Sequence, residues 1–268
     1  MIENNPLVSV VIPSYNHINY IEKSIRSVFD QTYKNIELIV VDDGSKDGSC
    51  ELLMQLKEEL GFTLVMQENA GVCKTLNRGI QDFSKGLVIC ILASDDYYHP
   101  SKVEKQIKAM QRNIKSEFCY TQALEFDSDT GKELRVFPKK EFIGNVLSKI
   151  SLRQPYAAGS IMFTRELYDR VGGFDPFLKY EDWDFSIRCA AVTEFSSVNE
   201  PLFYYRSHET NTMKTLNRRE IFHGKSMILS KNYLLIKPSS WLLSILFHFF
   251  YDHGFALFKH MKIKSIVN

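Results

Sequence analysis

The sequence lacks the features that mark several large classes of protein. Its five cysteines lie at positions 50, 73, 90, 119 and 189 and form no CxxC pair. This spacing argues against a zinc knuckle or a disulfide framework and favours a reducing cytoplasm. The formal net charge is only +1 over 268 residues, so no overall field favours nucleic acid as a partner. The N-terminal residues show no basic start followed by a long apolar segment, and we expect no secretory signal.

No GxGxxG motif follows the first predicted strand, which disfavours a Rossmann dehydrogenase. The sequence does contain a regular alternation of apolar runs with segments at helical spacing. Predicted strands cover residues 7–12, 36–41, 62–67 and 87–93, with helices between them. This alternation predicts an α/β fold with a mostly parallel sheet covered on both faces. Such sheets bind ligands at the carboxyl ends of their strands, which here read PSYN, DDGS, QENAG and SDD.

The fourth of these strand ends carries two adjacent carboxylates, Asp95 and Asp96. Adjacent carboxylates at a buried strand end repel one another and lose hydration, so another group must offset the cost. A divalent cation is the usual partner, and hard oxygen ligands suit Mg²⁺ or Mn²⁺. The alternative is that both residues cap the helix that starts near Pro100.

The second strand end, VVDDGSKDGS, resembles the start of a calcium loop, but Met54 stands where the bidentate glutamate is expected. An ordinary turn and helix cap explain Ser45 and Asp47. They leave the Asp42–Asp43 pair unexplained. A carboxylate there can accept a hydrogen bond from a base N–H group or a ribose hydroxyl.

The third acidic group is YEDWD, whose carboxylates fall at the start of a predicted helix near Glu181 or Asp182. The helix dipole and the free amides of the first turn favour ionised carboxylates. An ionised carboxylate beside a reacting hydroxyl can serve as a general base. The alternative is an acid-rich first turn with no chemical role.

Taken together and in order, these motifs resemble the family 2 inverting glycosyltransferases with the GT-A fold. The resemblance covers about residues 7 to 212. The matching stretches are VSVVIPSYN (8–16), VVDDGSKDGS (40–49), ENAGVCKTLNRGI (68–80), ASDDYYHPSKVEKQ (93–106), VGGFD (171–175), YEDWD (180–184) and YRSH (205–208). It implies a GT-A domain over residues 1–215, with a nucleotide-binding half of about 1–100, an acceptor half of about 101–215, and a helical tail over 216–268.

The resemblance also implies a role for each matching residue. The residues expected to bind the nucleotide-sugar are Pro13, Tyr15, Asn16, Asp42, Asp43, Asn69, Gly71, Ser94 and Asp95. Asp96 and His208 are the expected ligands of Mn²⁺ or Mg²⁺, and Asp182 is the expected catalytic base. Glu181, Trp183 and Arg206 are expected near the acceptor or the diphosphate, although Trp183 fits a core position equally well. The lone histidines His17 and His99 are interpreted as surface or capping residues.

The implied activity is metal-dependent, inverting transfer of a hexose or N-acetylhexosamine from a UDP-sugar to a glycan hydroxyl. The family's habits suggest a polyprenyl-diphosphate-linked acceptor in the biosynthesis of an O-antigen or capsule-like polysaccharide. A non-catalytic nucleotide-sugar or glycan binding module on a transferase scaffold is the alternative.

The tail contains a strongly apolar stretch, residues 241–258, that is interrupted by polar residues and by Gly254. The interruptions argue against a simple membrane-spanning helix. Lysines follow at positions 259, 262 and 264, and this combination suits a helix in the membrane interface. We therefore expect a cytoplasmic protein with peripheral contact at the inner face of the membrane. A helix packed on the catalytic domain, or on a second subunit in a homodimer, is equally compatible.

Overall fold

The computed structural model describes residues 4–178, 181–209, 211 and 217–253. Its strands are β1 (Val8–Ser14), β2 (Ile36–Asp42), β3 (Thr63–Met66), β4 (Val88–Ile91), β5 (Tyr97–Tyr98), β6 (Ser116–Asp127), β7 (Glu133–Phe137), β8 (Met162–Thr164) and β9 (Glu194–Ser207). Its α-helices are α1 (Ile21–Phe29), α2 (Ser49–Leu60), α3 (Val72–Arg78), α4 (Lys102–Arg112), α5 (Leu147–Ile150), α6 (Arg165–Val171), α7 (Glu181–Ala190), α8 (Arg218–Lys231) and α9 (Pro238–His248).

The strands form one mixed sheet in the order β3-β2-β1-β4-β8-β6-β9-β5, with β7 paired to β6. Strands β1 to β4 are parallel to one another, which confirms the alternating pattern of the first half of the sequence. Strand β8 runs antiparallel to both β4 and β6, and it joins the two halves into a continuous sheet. Strands β6 and β7 form an antiparallel hairpin.

The central strands consist mainly of apolar residues along their whole length because helices cover both faces of the sheet. In β1, Val11 belongs to one buried cluster, and Val10 and Ile12 belong to the cluster on the other face. Alternate side chains of a strand point to opposite faces, so both must be apolar when both are covered.

Helix α3 packs unusually close to the sheet, and a glycine permits this. A π-helical turn, Gly79–Phe83, extends the helix, where the sequence predicts a continuous α-helix to Phe83. A Cβ atom at Gly79 would lie 2.6 Å from Cγ1 of Val11 on β1, so any larger residue would push the helix away from the strand.

The tail packs against α7. Ile228, Leu229 and Ile236 share a buried apolar cluster with Trp183. The Asn232 amide donates to Oδ1 of the fully buried Asp184, at 2.8 Å. This is one of the arrangements expected for the tail. The predicted division at residue 215 stays a prediction.

No helix within the described residues combines the length and hydropathy that crossing a bilayer requires. Gly254 and the lysines at 259, 262 and 264 lie outside the described residues.

A candidate active site at the carboxyl ends of the strands

The carboxyl ends of β1, β2 and β4 are tied together by hydrogen bonds from their connecting segments. Ser24 on α1 donates its hydroxyl to the carbonyl of Ser94, at 2.8 Å, and to that of Asp96. The Ile18 amide donates to Oδ2 of Asp47, at 3.0 Å. These bonds fix the loops relative to one another, so the polar residues that the sequence places at separate strand ends occupy one rigid edge.

The Asp42–Asp43 pair shapes the loops around it. Oδ1 of Asp42 accepts the Ser45 amide at 2.9 Å, and Oδ2 accepts the Ser45 hydroxyl at 2.7 Å. Asp43 reaches the loop after β3, where Oδ1 accepts the Ala70 amide at 2.8 Å and Oδ2 accepts the Gly71 amide at 2.9 Å. A carboxylate oxygen can accept two hydrogen bonds, so Oδ2 of Asp43 retains acceptor capacity among its described contacts.

Other residues predicted to bind the nucleotide lie along the same rim. The Tyr15 side chain is 46% exposed, and Asn69 is also exposed. Asn16 joins two loops, because its amide donates to the Ser45 hydroxyl and its Oδ1 accepts the Lys46 amide, both at 2.8 Å. Pro13 is half-buried at the end of β1.

The two carboxylates of the β4 loop have different surroundings. Oδ2 of Asp95 lies 2.9 Å from Nε2 of His208. Oδ1 of Asp96 instead accepts the backbone amide of Arg206, at 2.7 Å, and Asp96 is buried. The Arg206 side chain returns to the same loop, donating Nε to the Asp95 carbonyl at 2.7 Å. The residues at the end of β9 therefore hold the β4 loop in place and position His208 beside Asp95.

These different surroundings give the Asp95 and Asp96 carboxyls different pKa values. Burial opposes ionisation of Asp95, but the hydrogen bond from His208 and the nearby His17 hold its pKa below the usual value. Burial and the neighbouring Asp95 charge raise the pKa of Asp96 well above its usual value. Asp95 therefore ionises more readily than Asp96.

Three side chains near this loop could hold a metal ion together: His17, Asp95 and His208. Each offers one ligand atom, and these atoms all lie within 4.8 Å of one another. Imidazole nitrogen and carboxylate oxygen both suit divalent transition metals, so the residues present fit such a cation. Asp96 lies outside this group. Asp95 is the carboxylate beside His208, and Asp96 turns towards the Arg206 amide; the role of Asp96 as a metal ligand stays a prediction.

The second acidic pair, Glu181 and Asp182, begins α7. Oδ2 of Asp182 accepts from the Gln154 amide at 2.8 Å, and Oδ1 accepts the Trp183 amide at 2.9 Å. Burial raises the pKa of Asp182. Burial and the adjacent Asp182 charge raise the pKa of Glu181 to about 8. Both carboxyls therefore take up a proton more readily than a solvated acid.

Helix α3 connects this pair to the nucleotide rim. The Cys73 thiol donates to the Leu178 carbonyl at 3.7 Å, and burial, helped by the nearby Glu181 charge, raises the pKa of this thiol. Cys73 lies two residues after Gly71, whose amide is held by Asp43. The β3 loop and the first turn of α7 thus meet at the N-terminal end of α3.

Trp183 is buried beside the second acidic pair. The side chain is 6% exposed, and its Nε1 donates to the Ile150 carbonyl at 2.7 Å. The ring lies 5.2 Å from that of His248 in the tail. These contacts favour the core interpretation of Trp183, and its placement near the acceptor stays a prediction.

Sequence reasoning missed three contributors to the site: Ser24, Gln154 and His17. Ser24 and Gln154 fall in stretches without a motif, so no signal marked them. His17 was interpreted as a surface or capping residue, yet it is the fourth residue after Pro13, where β1 was expected to end. Its place at the predicted ligand-binding edge was the available signal.

Comparisons with known proteins show the family to which this chain belongs. Residues 9–174 match the family Glycosyl transferase family 2. An uncharacterized glycosyltransferase of Rickettsia typhi is 31% identical over 263 residues, which cover 94% of this chain and 82% of the relative.

Two solved structures share the fold. Staphylococcus aureus TarS 1-349 in complex with UDP-GlcNAc superposes with a TM-score of 0.73 at 17% identity, covering 96% of this chain and 76% of that one. The mannosyltransferase PcManGT of Pyrobaculum calidifontis, in complex with GDP-Man and Mn²⁺, has a TM-score of 0.67 at 19% identity, covering 93% and 70%. With its GT-A fold and the match over residues 9–174, the chain belongs to glycosyltransferase family 2.

Proposed function

We propose that the chain is a metal-dependent inverting glycosyltransferase that moves a hexose or N-acetylhexosamine from a UDP-sugar to a hydroxyl of a glycan. The observation that carries this proposal is the presence of two carboxylate sites of opposite character. Asp95 is held ionised beside two histidines, and Asp182 has a raised pKa and lacks a cationic partner among its described hydrogen bonds. The surroundings of Asp95 suit the binding of a cation and a diphosphate, and those of Asp182 suit the uptake of a proton.

The donor would lie along the rim at the carboxyl ends of β1 to β4. Tyr15 offers an exposed ring for stacking on the base, and Asp43 offers Oδ2 to a base N–H group. Asn16, Asp42, Asn69 and Gly71 would shape this part of the site. Asp95 and His208 would hold Mn²⁺ or Mg²⁺ near the diphosphate, with Ser94 supporting the loop. A bound cation would act as a Lewis acid that stabilises the charge of the departing nucleotide. A solved structure of the same fold that contains Mn²⁺ supports this choice.

Asp182 would take the proton from the acceptor hydroxyl. The hydroxyl oxygen then forms a bond to the anomeric carbon from the side opposite the nucleotide. The bond from that carbon to the diphosphate oxygen breaks, and the nucleoside diphosphate leaves with the electron pair. The anomeric configuration inverts. A general base works best when its pKa lies near the working pH, and burial moves the pKa of Asp182 in that direction.

The test is binding followed by turnover. Calorimetry with UDP would be run in Mn²⁺ and again in EDTA, and release of UDP from UDP-sugars would then be measured. We expect tight binding that needs the metal, and UDP release that needs both an acceptor and Asp182. Metal-independent binding would contradict the proposed donor site. Binding of UDP-sugars without UDP release, over a broad set of acceptors, would support the alternative of a non-catalytic binding module. Because the fold also accommodates GDP-Man in PcManGT, GDP-sugars belong in the same screen.

The acceptor would be carried on a polyprenyl diphosphate at the cytoplasmic face of the membrane, for an O-antigen or capsule-like polysaccharide. An exposed apolar surface on α9 supports peripheral membrane contact. Leu242 and Leu243 are 54% and 58% exposed, and Phe250 just beyond the helix is 51% exposed. The lysines at 259, 262 and 264 follow this surface in the sequence and would favour anionic lipid.

Vesicle sedimentation would test this contact. The full chain should bind vesicles containing anionic lipid, and Leu242→Glu with Leu243→Glu should abolish binding while leaving UDP affinity unchanged. Equal binding by the double variant would contradict a membrane contact through α9. Light scattering of the same samples would show whether this surface instead pairs two copies in a homodimer.

A further inference from the structure

His17 lies on the turn between β1 and α1 and points its ring at the β4 loop. Its Nδ1 is 2.7 Å from the Ser94 hydroxyl. Its ring centroid is 6.1 Å from that of His208, at an interplanar angle of 82°. The ring is half-buried, so both neighbours constrain its orientation.

The turn itself does not require an imidazole at this position. The Tyr20 and Ile21 amides are capped by the backbone carbonyl of His17, at 2.9 and 3.0 Å. Any residue supplies that carbonyl. The side chain is therefore available for another role, and its described polar contacts lie with the β4 loop.

The spacing of the neighbouring groups matches a coordination sphere. Two ligands at right angles, each about 2.1 Å from an octahedral metal, lie about 3.0 Å apart, and two opposite ligands lie about 4.2 Å apart. Asp95 Oδ2 and His208 Nε2 are already 2.9 Å apart. The His17 ligand atom completes a group whose members all lie within 4.8 Å of one another. Only small side-chain movements are needed to place a cation among the three.

Ser94 supplies the outer contact that histidine ligands usually have. A histidine that binds a metal through one ring nitrogen generally donates the other N–H to an oxygen, which fixes the tautomer and the ring. In the tautomer whose Nδ1–H donates to the Ser94 hydroxyl, Nε2 of His17 carries the lone pair that a cation would bind.

We propose that His17 is a third protein ligand of the cation, with Asp95 and His208, so that the chain binds a transition-metal dication before any nucleotide arrives. Sites with one or two carboxylates need substrate phosphates to hold Mg²⁺. Two imidazoles and one carboxylate supply enough protein ligands to retain the ion alone. They also favour Mn²⁺, Co²⁺ or Zn²⁺ over Mg²⁺. This inference deepens the proposed function and rests on it for the role of the metal, but the binding itself can be measured separately.

The experiment is titration of the full-length chain with Mn²⁺ without nucleotide, followed by electron paramagnetic resonance and calorimetry. We expect one ion per chain, with excess Mg²⁺ competing poorly. His17→Ala should weaken Mn²⁺ binding at least tenfold, by analogy with the 10–100-fold losses seen when even the outer partners of metal ligands are removed. His223→Ala, which removes an exposed histidine of α8, is the matched control and should bind as the wild type does.

Thermal melting would confirm that each variant folds, and His17→Gln provides a second variant of similar size. A further measurement needs no variant: nitrogen modulation of the electron spin echo counts the imidazoles on bound Mn²⁺, and we expect two. One imidazole, unchanged affinity in His17→Ala, or Mn²⁺ binding only when UDP is present would each overturn the proposal.

These results can be told apart from failure of the proposed function. Nucleotide-dependent metal binding with intact sugar transfer would overturn only the role of His17. Nucleotide-independent binding through two imidazoles, in a chain that transfers no sugar with any donor, would support the metal site and count against the transferase assignment.

Discussion

The two carboxylate pairs of the site, Asp95–Asp96 and Glu181–Asp182, are similar in sequence and opposite in behaviour. The first pair faces His208 and the Arg206 amide, and its leading carboxyl has a lowered pKa. The second pair is half-buried and has no cationic partner among its described hydrogen bonds, and both of its pKa values are raised. The difference shows that adjacent acids acquire their chemistry from the donors that face them. Asp95 in the first pair ionises readily, whereas both carboxyls of the second pair take up a proton more readily than a solvated acid.

The largest effect is expected from removing the proton acceptor. Asp182→Asn should lower kcat by about 10²–10⁴-fold, because general base catalysis contributes that much, or about 3–5 kcal/mol of transition-state stabilisation. UDP affinity should be unchanged. Steady-state kinetics and calorimetry measure the two quantities. Asp169→Asn, an exposed acid on α6, is the control and should match the wild type in both. Retained turnover in Asp182→Asn would show that Asp182 is not the base, and the proposed chemical difference between the two pairs would fail.

The next largest effect concerns the first pair, whose two carboxyls should respond differently to substitution. Asp95→Asn should lose at least tenfold in Mn²⁺-dependent UDP affinity, because the charged oxygen beside His208 is lost. Asp96→Asn should keep that affinity, since an asparagine oxygen can still accept the Arg206 amide that now binds Oδ1. Calorimetry of the two variants in parallel is the measurement. The reverse pattern would return the metal to Asp96, as the sequence alone predicted.

A smaller effect concerns the pH dependence of the second pair. Activity should fall as pH decreases through the pKa of Asp182, because the base must be ionised. The Gln154 amide stabilises that ionised form. Gln154→Leu should therefore raise the pKa and move the acid limb of kcat upward by about one to two pH units, since a hydrogen bond to a charged group contributes about 1.5–3 kcal/mol. A pH–rate profile with an unmoved limb would show that Asp182 is not the titrating base.

The smallest effect on turnover is expected at Glu181. With a pKa of about 8, this carboxyl is mostly protonated at pH 7, and Glu181→Gln should change kcat little there. Stability should differ more. A raised pKa in the folded state means that stability is lost as pH rises from about 5 to about 8. The wild type should lose Tm over that interval relative to the variant. Parallel melting curves in both proteins would show the same drop if Glu181 titrated normally.

Much of the architecture could be predicted because it depends on local patterns. Four apolar runs separated by helical segments predict the parallel half of the sheet, and YEDWD predicts the start of α7. The different surroundings of Asp95 and Asp96 could not be predicted, since they are set by Arg206 and His208, more than a hundred residues later. The same limit applies to Trp183. Its place in the core depends on Ile150 and on His248 in the tail, and no short motif records either contact.

The contacts between the tail and α7 limit how this protein can be divided or fused. Asp184 is fully buried on the helix that begins with Glu181 and Asp182, and it binds Arg188 together with Lys231 and Asn232 of the tail. A chain cut at residue 215 would leave this carboxylate with Arg188 as its remaining described side-chain partner. The cut would also uncover the face of α7 that Ile228 and Leu229 bury. Exchange of donor or acceptor specificity between relatives should therefore succeed when α7 and the tail are exchanged as one unit.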